Sequence, residues 1–434
     1  IAVGHLAAGE RLPTQSELAR QTGIAKSTVA RAYQDASALG LIDTVIGRGS
    51  FVRQEPDPFV QAAVNEQPGD LLDLRIDYPL YQLDPPLAKV LAEIAAGDCQ
   101  HLLTYRDHGG DLGAREAGCQ WIERDGLKRA AEEIVITSGA QHAITVSMAS
   151  VAHAGQTLLV EELSYPGLRE AAEMLGVDLV PVLMDEEGIV PGALEEALYL
   201  NRESVALYTC PTFHNPTAIL TSGRRREAIA AICDRHGLYI IEDDVRRQFA
   251  ANPPLPYASL VPELTFFISS FSKVVCGGLR IAYLVPPPSA RKVVMRRLLA
   301  TYWTLPPLMG EIAARWIRDG TAAAVFAMKK AEAVSRRQTA GAILGQPPQP
   351  GMEAGLFMWL DLPESWPTDV FLTEAMKADV AVLGDGTFRI LPRAGRRGVR
   401  ICLGAERSMA RLERGLTILK EMLDEDPAGA MGVI

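Results

Sequence analysis

The sequence predicts two folded units, a winged helix-turn-helix unit at the N-terminus and a larger α/β unit built on a mostly parallel sheet. Residues 1–53 show two helical patterns and then two strand patterns around a glycine-rich turn, which is the element order of a winged helix-turn-helix. From residue 71 to about Val285, apolar strand patterns alternate with helical patterns, as a mostly parallel sheet requires. A chain of 434 residues is long enough for two or three domains.

The two units are predicted to be joined by a linker over residues 54–70. Between Gln54 and Asp70 the chain is rich in proline and carries acids but no bases, so proline stiffness and charge repulsion should extend it. Residues 71–434 form the larger unit. In it a run of three prolines, 286–288, marks a turn into a helical stretch. We expect a small C-terminal α+β domain formed largely by about residues 290–434.

A helix of the N-terminal unit begins with a capping-box spacing, since Thr14 and Glu17 can satisfy each other's backbone donors. Gly23 is expected to break this helix, and a second helix is expected to run from Lys26 to Gly40. One face of the second helix is apolar and should pack inward (Val29, Tyr33 and Ala36). Because the sequence does not begin with methionine, we expect the start of the unit's first helix to lie before this numbering.

The polar residues at the start of the second helix are free to enter a DNA major groove. The hairpin that follows carries a basic glycine tip, residues 47–49, which suits the minor groove or phosphates. The candidate DNA contacts are Arg11, Ser16, Lys26, Ser27, Thr28, Arg31, Arg48 and Gly49. The alternative is a small helical appendage with no nucleic-acid role.

The charge balance limits how this unit can bind DNA. The whole chain has a formal net charge of −10, so DNA affinity must come from a local patch. Through Val52 there are five Lys and Arg residues (11, 20, 26, 31, 48) against four acids (10, 17, 35, 43). A single copy should therefore bind DNA weakly, and a homodimer would bind it better.

The cysteines favour a cytoplasmic protein without a metal site. The six cysteines (99, 119, 210, 233, 276, 402) form no C-x-x-C pair and show no metal-ligand spacing, so they are interpreted as reduced cytosolic thiols. We find no signal-peptide pattern and no apolar run long enough to span a membrane.

Lys273 is the most informative residue of the larger unit. An apolar strand pattern runs into a hydroxyl-rich turn that presents this amine, a layout suited to a Schiff base with an aldehyde cofactor. Ser270, Ser272 and Arg280 are then placed to hold the cofactor's phosphate. One alternative is a solvated charge at a strand end. Another is the Ser-x-x-Lys signature of penicillin-recognising enzymes, but the Ser-Asp-Asn and Lys-Thr-Gly tripeptides that it needs do not occur downstream.

Other strand ends carry residues that fit the same kind of site. After the strand pattern 134–137, a small-residue turn opens a helix, and its backbone donors can cradle a phosphate (Gly139, Ala140 and Gln141). Tyr165 lies in a turn where its ring can stack on a cofactor. Asn215 follows the strand pattern 204–209, with His214 as a structural neighbour. The acids that end the pattern 238–244 can pair with a pyridine nitrogen, with solvent exposure of Asp244 as the alternative.

Taken together, residues from about 71 to 425 resemble a fold-type I, class I aminotransferase domain, the pyridoxal phosphate-dependent transferase fold. The resemblance implies a pyridoxal 5′-phosphate site. The implied roles are the aldimine lysine for Lys273, a phosphate ligand for Arg280, the pyridine-nitrogen partner for Asp243, the phenolate-oxygen partner for Asn215 and the stacking ring for Tyr165.

Two further residues gain a role from this resemblance. Arg400 matches the arginine that clamps a ligand carboxylate, which its bidentate geometry supports. The alternative is one more charge in a basic run. Tyr105 matches a tyrosine that reaches the phosphate of the partner subunit, which implies a homodimer.

The sequence departs from the family pattern beside the acidic strand end. Relatives commonly carry a tyrosine two or three residues after the acid, where this chain has Val245 and Arg246, and the usual Asn-Pro-Thr-Gly ends here in Ala218. We expect the loss of the tyrosine to impair transamination more than cofactor binding. Arg246 is either a surface charge or a contact for an anionic ligand, and we expect the surface charge.

The N-terminal segment strongly resembles the GntR-type DNA-binding domain, through Leu-Pro-Thr-Gln-Ser-Glu-Leu-Ala (12–19) and Gly-Arg-Gly-Ser-Phe-Val (47–52). Its fusion to an aminotransferase-like domain is the arrangement of the MocR/GabR-type regulators, with motifs nearer to the YdcR-like branch. This implies a transcription regulator that binds operator DNA and senses an amino compound as an external aldimine, with no physiological turnover expected. Two alternatives stay open, a working aminotransferase with an accessory DNA-binding domain and a regulator that senses pyridoxal phosphate itself.

Overall fold

The structure is a computed structural model that describes residues 11–38, 42–45, 49–52, 70–391 and 396–425. The chain divides into two compact units, Ile1–Asn65 and Glu66–Ile434. The wing-tip residue Arg48, the predicted helix stop Gly40 and residues 54–69 of the predicted linker lie outside the described residues.

The described residues of the first unit form two helices and a hairpin, in the order that the sequence predicted. The helices are Gln15–Thr22 and Lys26–Ala38. Strand β1 (Ile42–Val45) pairs antiparallel with β2 (Gly49–Val52).

Hydrogen bonds at its ends stabilise the helix Gln15–Thr22, and an apolar core packs it against the second helix and the hairpin. The predicted capping box is present, because Thr14 N donates to Glu17 Oε2 at 2.8 Å and Glu17 N donates to Thr14 Oγ1 at 3.2 Å. Gly23 ends the helix in the left-handed conformation, with φ of 71°. The core consists of Val29, Tyr33 and Ile42, with Leu12, Leu18, Ala19 and Ala36 packed against it. The predicted inward face of the second helix is thus confirmed.

The second unit is an α/β structure whose strands form one large sheet and three small ones. Its strands are β3 (Leu72–Asp73), β4 (Val135–Thr137), β5 (Thr157–Glu161), β6 (Asp178–Val182), β7 (Met184–Asp185), β8 (Gly188–Ile189), β9 (Ser204–Thr209), β10 (Tyr239–Asp243), β11 (Thr265–Ser270), β12 (Ala282–Val285), β13 (Phe357–Asp361), β14 (Val380–Ala381), β15 (Leu383–Gly384) and β16 (Gly398–Cys402). Its α-helices are Leu87–Ala95, Leu112–Glu123, Ala140–Val151, Pro166–Leu175, Pro191–Leu200, Gly223–His236, Tyr257–Leu260, Arg291–Tyr302, Pro307–Arg318, Thr321–Leu344, Thr368–Lys377 and Met409–Asp424.

The large sheet has seven strands in the order β4-β12-β11-β10-β9-β5-β6. Strand β12 runs antiparallel to both of its neighbours, and all other neighbouring strands are parallel. The predicted mostly parallel sheet is therefore confirmed. Apolar cores cover both faces of the sheet, which explains why its central strands are apolar throughout rather than alternating.

The middle of this sheet positions the candidate site. Strands β9, β10 and β11 are parallel neighbours, so their carboxyl ends lie at the same edge. Polar residues gather there, with Thr209 ending β9, Asp243 ending β10 and Ser270 ending β11. Ligands of open parallel sheets bind beyond this edge.

A second apolar core marks the small domain, and it includes the first described segment of the unit. Strands β13, β16 and β15 form an antiparallel sheet, while β14 pairs parallel with β3. This core contains Leu72 and Leu74 together with Phe371, Leu412 and Leu416. The helices Arg291–Tyr302 and Pro307–Arg318 pack instead into the cores around the large sheet.

Within the described ranges, no helix combines the length and the apolar character that crossing a membrane needs. The same part of the chain contains no group of three His, Cys, Asp or Glu side chains that could hold a metal ion. All six cysteines lie within it, and all are free thiols.

Candidate functional site

Lys273 lies in the turn that follows β11, and side-chain hydroxyls fix this turn. Ser270 Oγ accepts a hydrogen bond from Lys273 N at 3.0 Å. Ser272 Oγ accepts from Ile281 N at 3.0 Å and donates to Ile281 O at 3.2 Å, which ties the turn to the start of β12. Both hydroxyls thus hold the turn that presents the lysine, and their predicted phosphate contacts stay predictions.

The amine of Lys273 contacts a residue that the sequence did not single out. Its Nζ donates to the backbone carbonyl of Asp77 at 2.8 Å and lies 3.3 Å from Asp77 Oδ2. The lysine side chain keeps 36% of its surface exposed, whereas the Asp77 side chain is buried. Burial lowers the pKa of the Lys273 amine below its ordinary value, and the Asp77 carboxylate only partly offsets this effect. A lowered pKa makes the uncharged, nucleophilic amine more accessible.

Arg246 is a site residue, and the expectation of a surface charge was wrong. Only 7% of the residue is exposed. Its Nε donates to Asp77 Oδ2 at 2.9 Å, its Nη2 donates to the same oxygen, and its guanidinium lies 5.0 Å from the ring centre of Phe357. A carboxylate from a distant part of the sequence allows the arginine to be buried, because it compensates the charge.

Asp77 is held as a carboxylate by the cations around it. Burial alone would raise its pKa, but Arg246, Lys273 and Arg400 together keep the pKa of Asp77 below its ordinary value. The same carboxylate raises the pKa of Arg246 against the opposing effect of burial. The carboxylate of Asp77 is therefore a buried anion that Arg246, Lys273 and Arg400 share.

The neighbours of Arg246 are also buried. Val245, which stands at one of the two positions where relatives carry the tyrosine, packs in the apolar core of the sheet. Asp244 is buried and pairs with Arg247 at 3.1 Å and with Arg226 at 3.8 Å. The alternative of a solvent-facing Asp244 is therefore wrong, and its counterions lie beneath the sheet edge.

Asp243 offers an unused acceptor at the carboxyl end of β10. Its Oδ2 accepts from Tyr208 Oη at 2.7 Å. Its Oδ1 is buried and has no hydrogen-bond partner among the described residues. Burial raises the pKa of Asp243, with Tyr208 and Arg246 opposing this effect. A buried, unpaired carboxylate oxygen is costly unless a donor satisfies it, and the N–H of a pyridinium ring is such a donor.

Gly139 and Arg280 lie together where the sequence predicted a phosphate cradle, and the phosphate contact itself stays a prediction. Gly139 precedes the helix Ala140–Val151 with φ of 81°. A Cβ at this position would lie 2.5 Å from Arg280 Nη2 and 2.8 Å from Arg280 Cζ, so only glycine lets the guanidinium approach the helix N-terminus. Free backbone donors, the positive end of the helix dipole and a guanidinium are together suited to a phosphate.

Gln141 and Tyr165 lie beside this cradle. Gln141 Nε2 donates to Gly167 O at 2.7 Å, and a Cβ at Gly167 would come within 2.6 Å of the Tyr165 ring. Burial raises the pKa of Tyr165 to about 12, and the charge of Asp243 adds to this effect. The ring is therefore neutral at physiological pH, as a stacking role requires.

Asn215 and Arg400 are joined in a buried contact. Arg400 Nη1 donates to Asn215 Oδ1 and its Nη2 donates to Arg75 O, both at 2.7 Å. The guanidinium lies 4.8 Å from the ring centre of Phe388. Its Nε is buried without a partner among the described residues, so this N–H is one of the donors left for a ligand. His214 is buried and bonded to Thr217 and Leu163, in line with the structural role expected for it.

A small cavity of about 10 Å³ borders the Lys273 amine. It is lined by Asp77, Phe213, Arg246, Phe249, Lys273, Ala354, Gly355 and Leu356. Its apolar side chains surround the amine and the Arg246–Asp77 ion pair, and surroundings of low polarity strengthen such polar contacts.

Tyr105 lies on the surface, with 84% of the residue exposed. Its ring centre is 6.3 Å from that of Trp303, which is also largely exposed. An exposed aromatic pair is typical of a contact surface. The predicted contact of Tyr105 with a partner subunit stays a prediction.

The candidate DNA contacts within the described residues all lie on the surface of the first unit. The exposed members are Arg11, Ser16, Lys26, Ser27, Thr28 and Arg31. The start of the second helix therefore presents a polar, basic face. In the hairpin, a Cβ at Gly49 would lie 3.1 Å from Arg11 Nε, which places that guanidinium against the base of the wing. The DNA roles stay predictions.

Asp77, Arg75 and Tyr208 are the site residues that the sequence did not reveal. Asp77 and Arg75 lie in a charged, irregular segment before the strand pattern, without a motif around them. The local signal is that charged residues alternate with apolar ones within residues 71–76. Such a pattern indicates charges that need partners if the segment is buried. Tyr208 lies within the strand pattern 204–209 and carries no motif that singles it out.

Comparisons with known proteins match two separate segments. Residues 70–419 match the family of class I and II aminotransferases, and residues 1–52 match the bacterial regulatory proteins of the gntR family. The HTH-type transcriptional regulator YdeF of Bacillus subtilis (strain 168) is 28% identical over 423 residues, which cover 97% of this chain and 91% of that protein.

Two other similarities extend the comparison. The HTH-type pyridoxine biosynthesis transcriptional regulator PdxR of Corynebacterium glutamicum is 28% identical over 308 residues, which cover 68% of this chain and 66% of that protein. The crystal structure of an archaeal alanine:glyoxylate aminotransferase superposes with a TM-score of 0.77 at 22% identity, covering 85% of this chain and 94% of that one. The similarity to the alanine:glyoxylate aminotransferase structure is a similarity of fold.

Proposed function

Because the chain belongs to the class I and II aminotransferase family and also carries a GntR-type helix-turn-helix domain, we propose a pyridoxal 5′-phosphate-dependent sensor function for it. It is a transcription regulator with an aminotransferase-like domain, and its cofactor is pyridoxal 5′-phosphate. In the proposal, the N-terminal domain binds operator DNA and the larger domain senses an amino compound. One observation supports this proposal. The residues suited to the cofactor are present, but Val245 and Arg246 occupy the two positions where relatives commonly carry a tyrosine.

Several residues fit the proposed cofactor contacts. Asp243 Oδ1 is a buried acceptor without a partner, suited to the ring N–H. The backbone donors in the first turn of the helix Ala140–Val151 and the Arg280 guanidinium beside Gly139 would form a cradle suited to the phosphate. When bound, the cofactor supplies an aldehyde carbon with which amines condense. Lys273 is the amine in the chain that the turn presents for this purpose.

The ligand is proposed to be a compound with a primary amine and an acid group. Its amine would exchange with Lys273, and Arg400 would hold the acid through the Nε that has no partner among the described residues. Arg400 uses one N–H of each terminal nitrogen on Asn215 and Arg75, so Nε and the remaining N–H groups are the donors that could receive the acid group.

We expect slow or absent transamination because the tyrosine that relatives commonly place beside the cofactor's phenolate oxygen is missing. Val245 is committed to the apolar core, and Arg246 is committed to Asp77. Neither places a hydroxyl beside the cofactor's phenolate oxygen. Lys273 remains a possible proton acceptor once its amine is released, so a slow reaction is compatible with this proposal.

A homodimer in the cytoplasm is the proposed working form. The DNA-binding unit has almost balanced charges through Val52, and pairing two such units raises affinity for a repeated site. The exposed Tyr105 and Trp303 rings lie on a surface suited to a second copy. A regulator that binds the chromosome of a bacterium acts in the cytoplasm.

One alternative has support of its own. PdxR is named as a regulator of pyridoxine biosynthesis, so a regulator that senses pyridoxal 5′-phosphate itself is a second candidate function. A working aminotransferase remains the third.

The direct test of the regulator function is selection of DNA from a random library by the full-length protein. Enrichment of one repeated motif, with an affinity that falls steeply as salt increases, is expected. No enrichment would contradict the proposal. Repeating the binding measurement with cofactor-free protein and with added amines tests the second candidate, because a sensor of the cofactor itself responds to loading and shows no further change in DNA affinity when an amine is added.

A further inference from the structure

We propose that Asp77 is a positioning residue that couples the state of the Lys273 amine to the segment 70–78, which leads from the linker into the larger unit. This inference rests on the proposed cofactor chemistry at Lys273. It assigns a role to a carboxylate that the family resemblance does not provide. The observations that carry it are contacts between this segment and three cations of the site.

The segment is held to the site at two places. Asp77 receives Lys273 Nζ at its backbone carbonyl, 2.8 Å away, and its carboxylate pairs with Arg246. Two residues earlier, Arg75 O receives Arg400 Nη2 at 2.7 Å. Three cations of the site, Lys273, Arg246 and Arg400, therefore each contact this segment.

The rest of the segment is held by hydrogen bonds and apolar contacts to the small domain. Leu72 N donates to Asp379 O and Leu74 N donates to Ala381 O, both at 2.8 Å. Both leucines are fully buried in the small-domain core. The segment thus joins the lysine of the large sheet to the core of the small domain.

Cofactor loading must change the contact at Asp77. When the cofactor is bound, the uncharged amine of Lys273 would form a C=N bond with the aldehyde carbon, its two hydrogens would leave with the aldehyde oxygen as water, and uptake of one proton would leave a single N–H on the nitrogen. That single N–H cannot serve both the carbonyl and the carboxylate of Asp77. Arg246 then remains as the main partner of the carboxylate, and the contact of Lys273 with Asp77 is weakened.

A ligand would change the same contacts in a second way. An incoming amine returns Lys273 to a free amine, which can bind Asp77 again, while an acid group on Arg400 competes with the carbonyl of Arg75. Each step alters the hold on segment 70–78, which is covalently continuous through residues 53–69 with the DNA-binding unit. A ligand can shift such an equilibrium only through its different affinity for the two states.

Hydrogen exchange of the backbone in peptides covering residues 70–78 of the full-length protein tests the coupling. The proteins compared are wild type, Asp77→Asn and Arg246→Lys, each with and without pyridoxal 5′-phosphate. The matched control is Asp84→Asn, which removes a carboxylate from another buried lysine, Lys329. Absorbance and borohydride trapping of the lysine report separately whether the cofactor is linked.

In cofactor-free protein, Asp77→Asn should raise exchange at Leu72 and Leu74 by about tenfold or more, because it removes the carboxylate that Arg246 and Lys273 grip. Arg246→Lys keeps the charge and should raise exchange less. Asp84→Asn should leave the segment unchanged. Loading the wild type with cofactor should move its exchange toward that of Asp77→Asn.

Two results would overturn the coupling. One is a linked cofactor in wild type with no change in exchange over residues 70–78. The other is equal exchange in wild type and Asp77→Asn without cofactor. If no link forms at Lys273, the proposed cofactor chemistry fails instead, and the cofactor-free comparison still decides the role of Asp77.

Discussion

Lys273 and Asp77 lie 196 positions apart in the sequence, and the lysine amine donates to the aspartate carbonyl at 2.8 Å. The contact joins the turn after a central strand of the large sheet to the segment that opens the second unit. Because Arg246 binds the carboxylate of the same aspartate, one residue links both cations nearest the cavity.

Replacing Lys273 by alanine should abolish covalent attachment of the cofactor. The wild type should be yellow, and borohydride reduction followed by peptide mapping should label Lys273. Lys329, a buried lysine paired with Asp84, provides a natural internal control because its pairing with a carboxylate should keep it unlabelled. A label on Lys329 or on any other lysine would contradict the assignment.

Gly139→Ala should weaken cofactor binding through a direct clash. The new Cβ would overlap the Arg280 guanidinium and also adopt an unfavourable positive φ. Gly155→Ala is a matched control, because Gly155 has almost the same φ and open space around its Cβ position. Both variants should lose about 1 kcal/mol of stability from backbone strain, but only Gly139→Ala should lose cofactor affinity. Equal affinities in a fluorescence titration would remove Gly139 from the cradle.

Arg31→Ala should weaken binding to the selected DNA while leaving the cofactor spectrum unchanged. A base-reading arginine contributes about 1–3 kcal/mol for its contact. A residue that contacts only phosphate would instead weaken all sequences alike and reduce the salt dependence. Arg202→Ala, a surface change in the second unit, is the control. Unchanged DNA affinity across a salt series would exclude Arg31 from the interface.

Asp77→Asn should destabilise the protein by about 3 kcal/mol at neutral pH, because Arg246 would stay buried without its counterion. The pKa of Asp77 is held below its ordinary value in the folded protein, so its contribution is present above about pH 4 and is lost as the pH falls further. The stability difference between wild type and variant should therefore shrink on acidification. Thermal unfolding at several pH values measures it, and a difference that grows toward acid would contradict the assigned charge state.

The sequence predicted the parts of the site that lie at strand ends. Lys273, Asp243 and Asn215 each follow a continuous apolar run, and parallel strands bring such ends together at one edge. The helix-turn-helix could be predicted because its capping box and inward face depend on residues within one or two turns. These features are local or follow from the topology alone.

Arg246 shows why the remainder could not be predicted. In the sequence, Arg246 follows a run of acids and Val245, and it resembles a solvated side chain unless its counterion is known. That counterion lies 169 positions earlier, in a segment without a motif. Asp244 was ambiguous for the same reason, since Arg226 and Arg247 compensate it only in the folded chain. Burial of charge depends on long-range partners, which local patterns do not reveal.

The most direct measurement records absorbance, keto acid formation and affinity for the selected DNA in the same samples of full-length protein as amino compounds are added. A sensor predicts a spectral change whose midpoint coincides with a change in DNA affinity, without multiple turnovers. Keto acid produced at ordinary enzyme rates, on the order of 1 per second or faster, with unchanged DNA affinity would contradict the sensor function and favour a working aminotransferase.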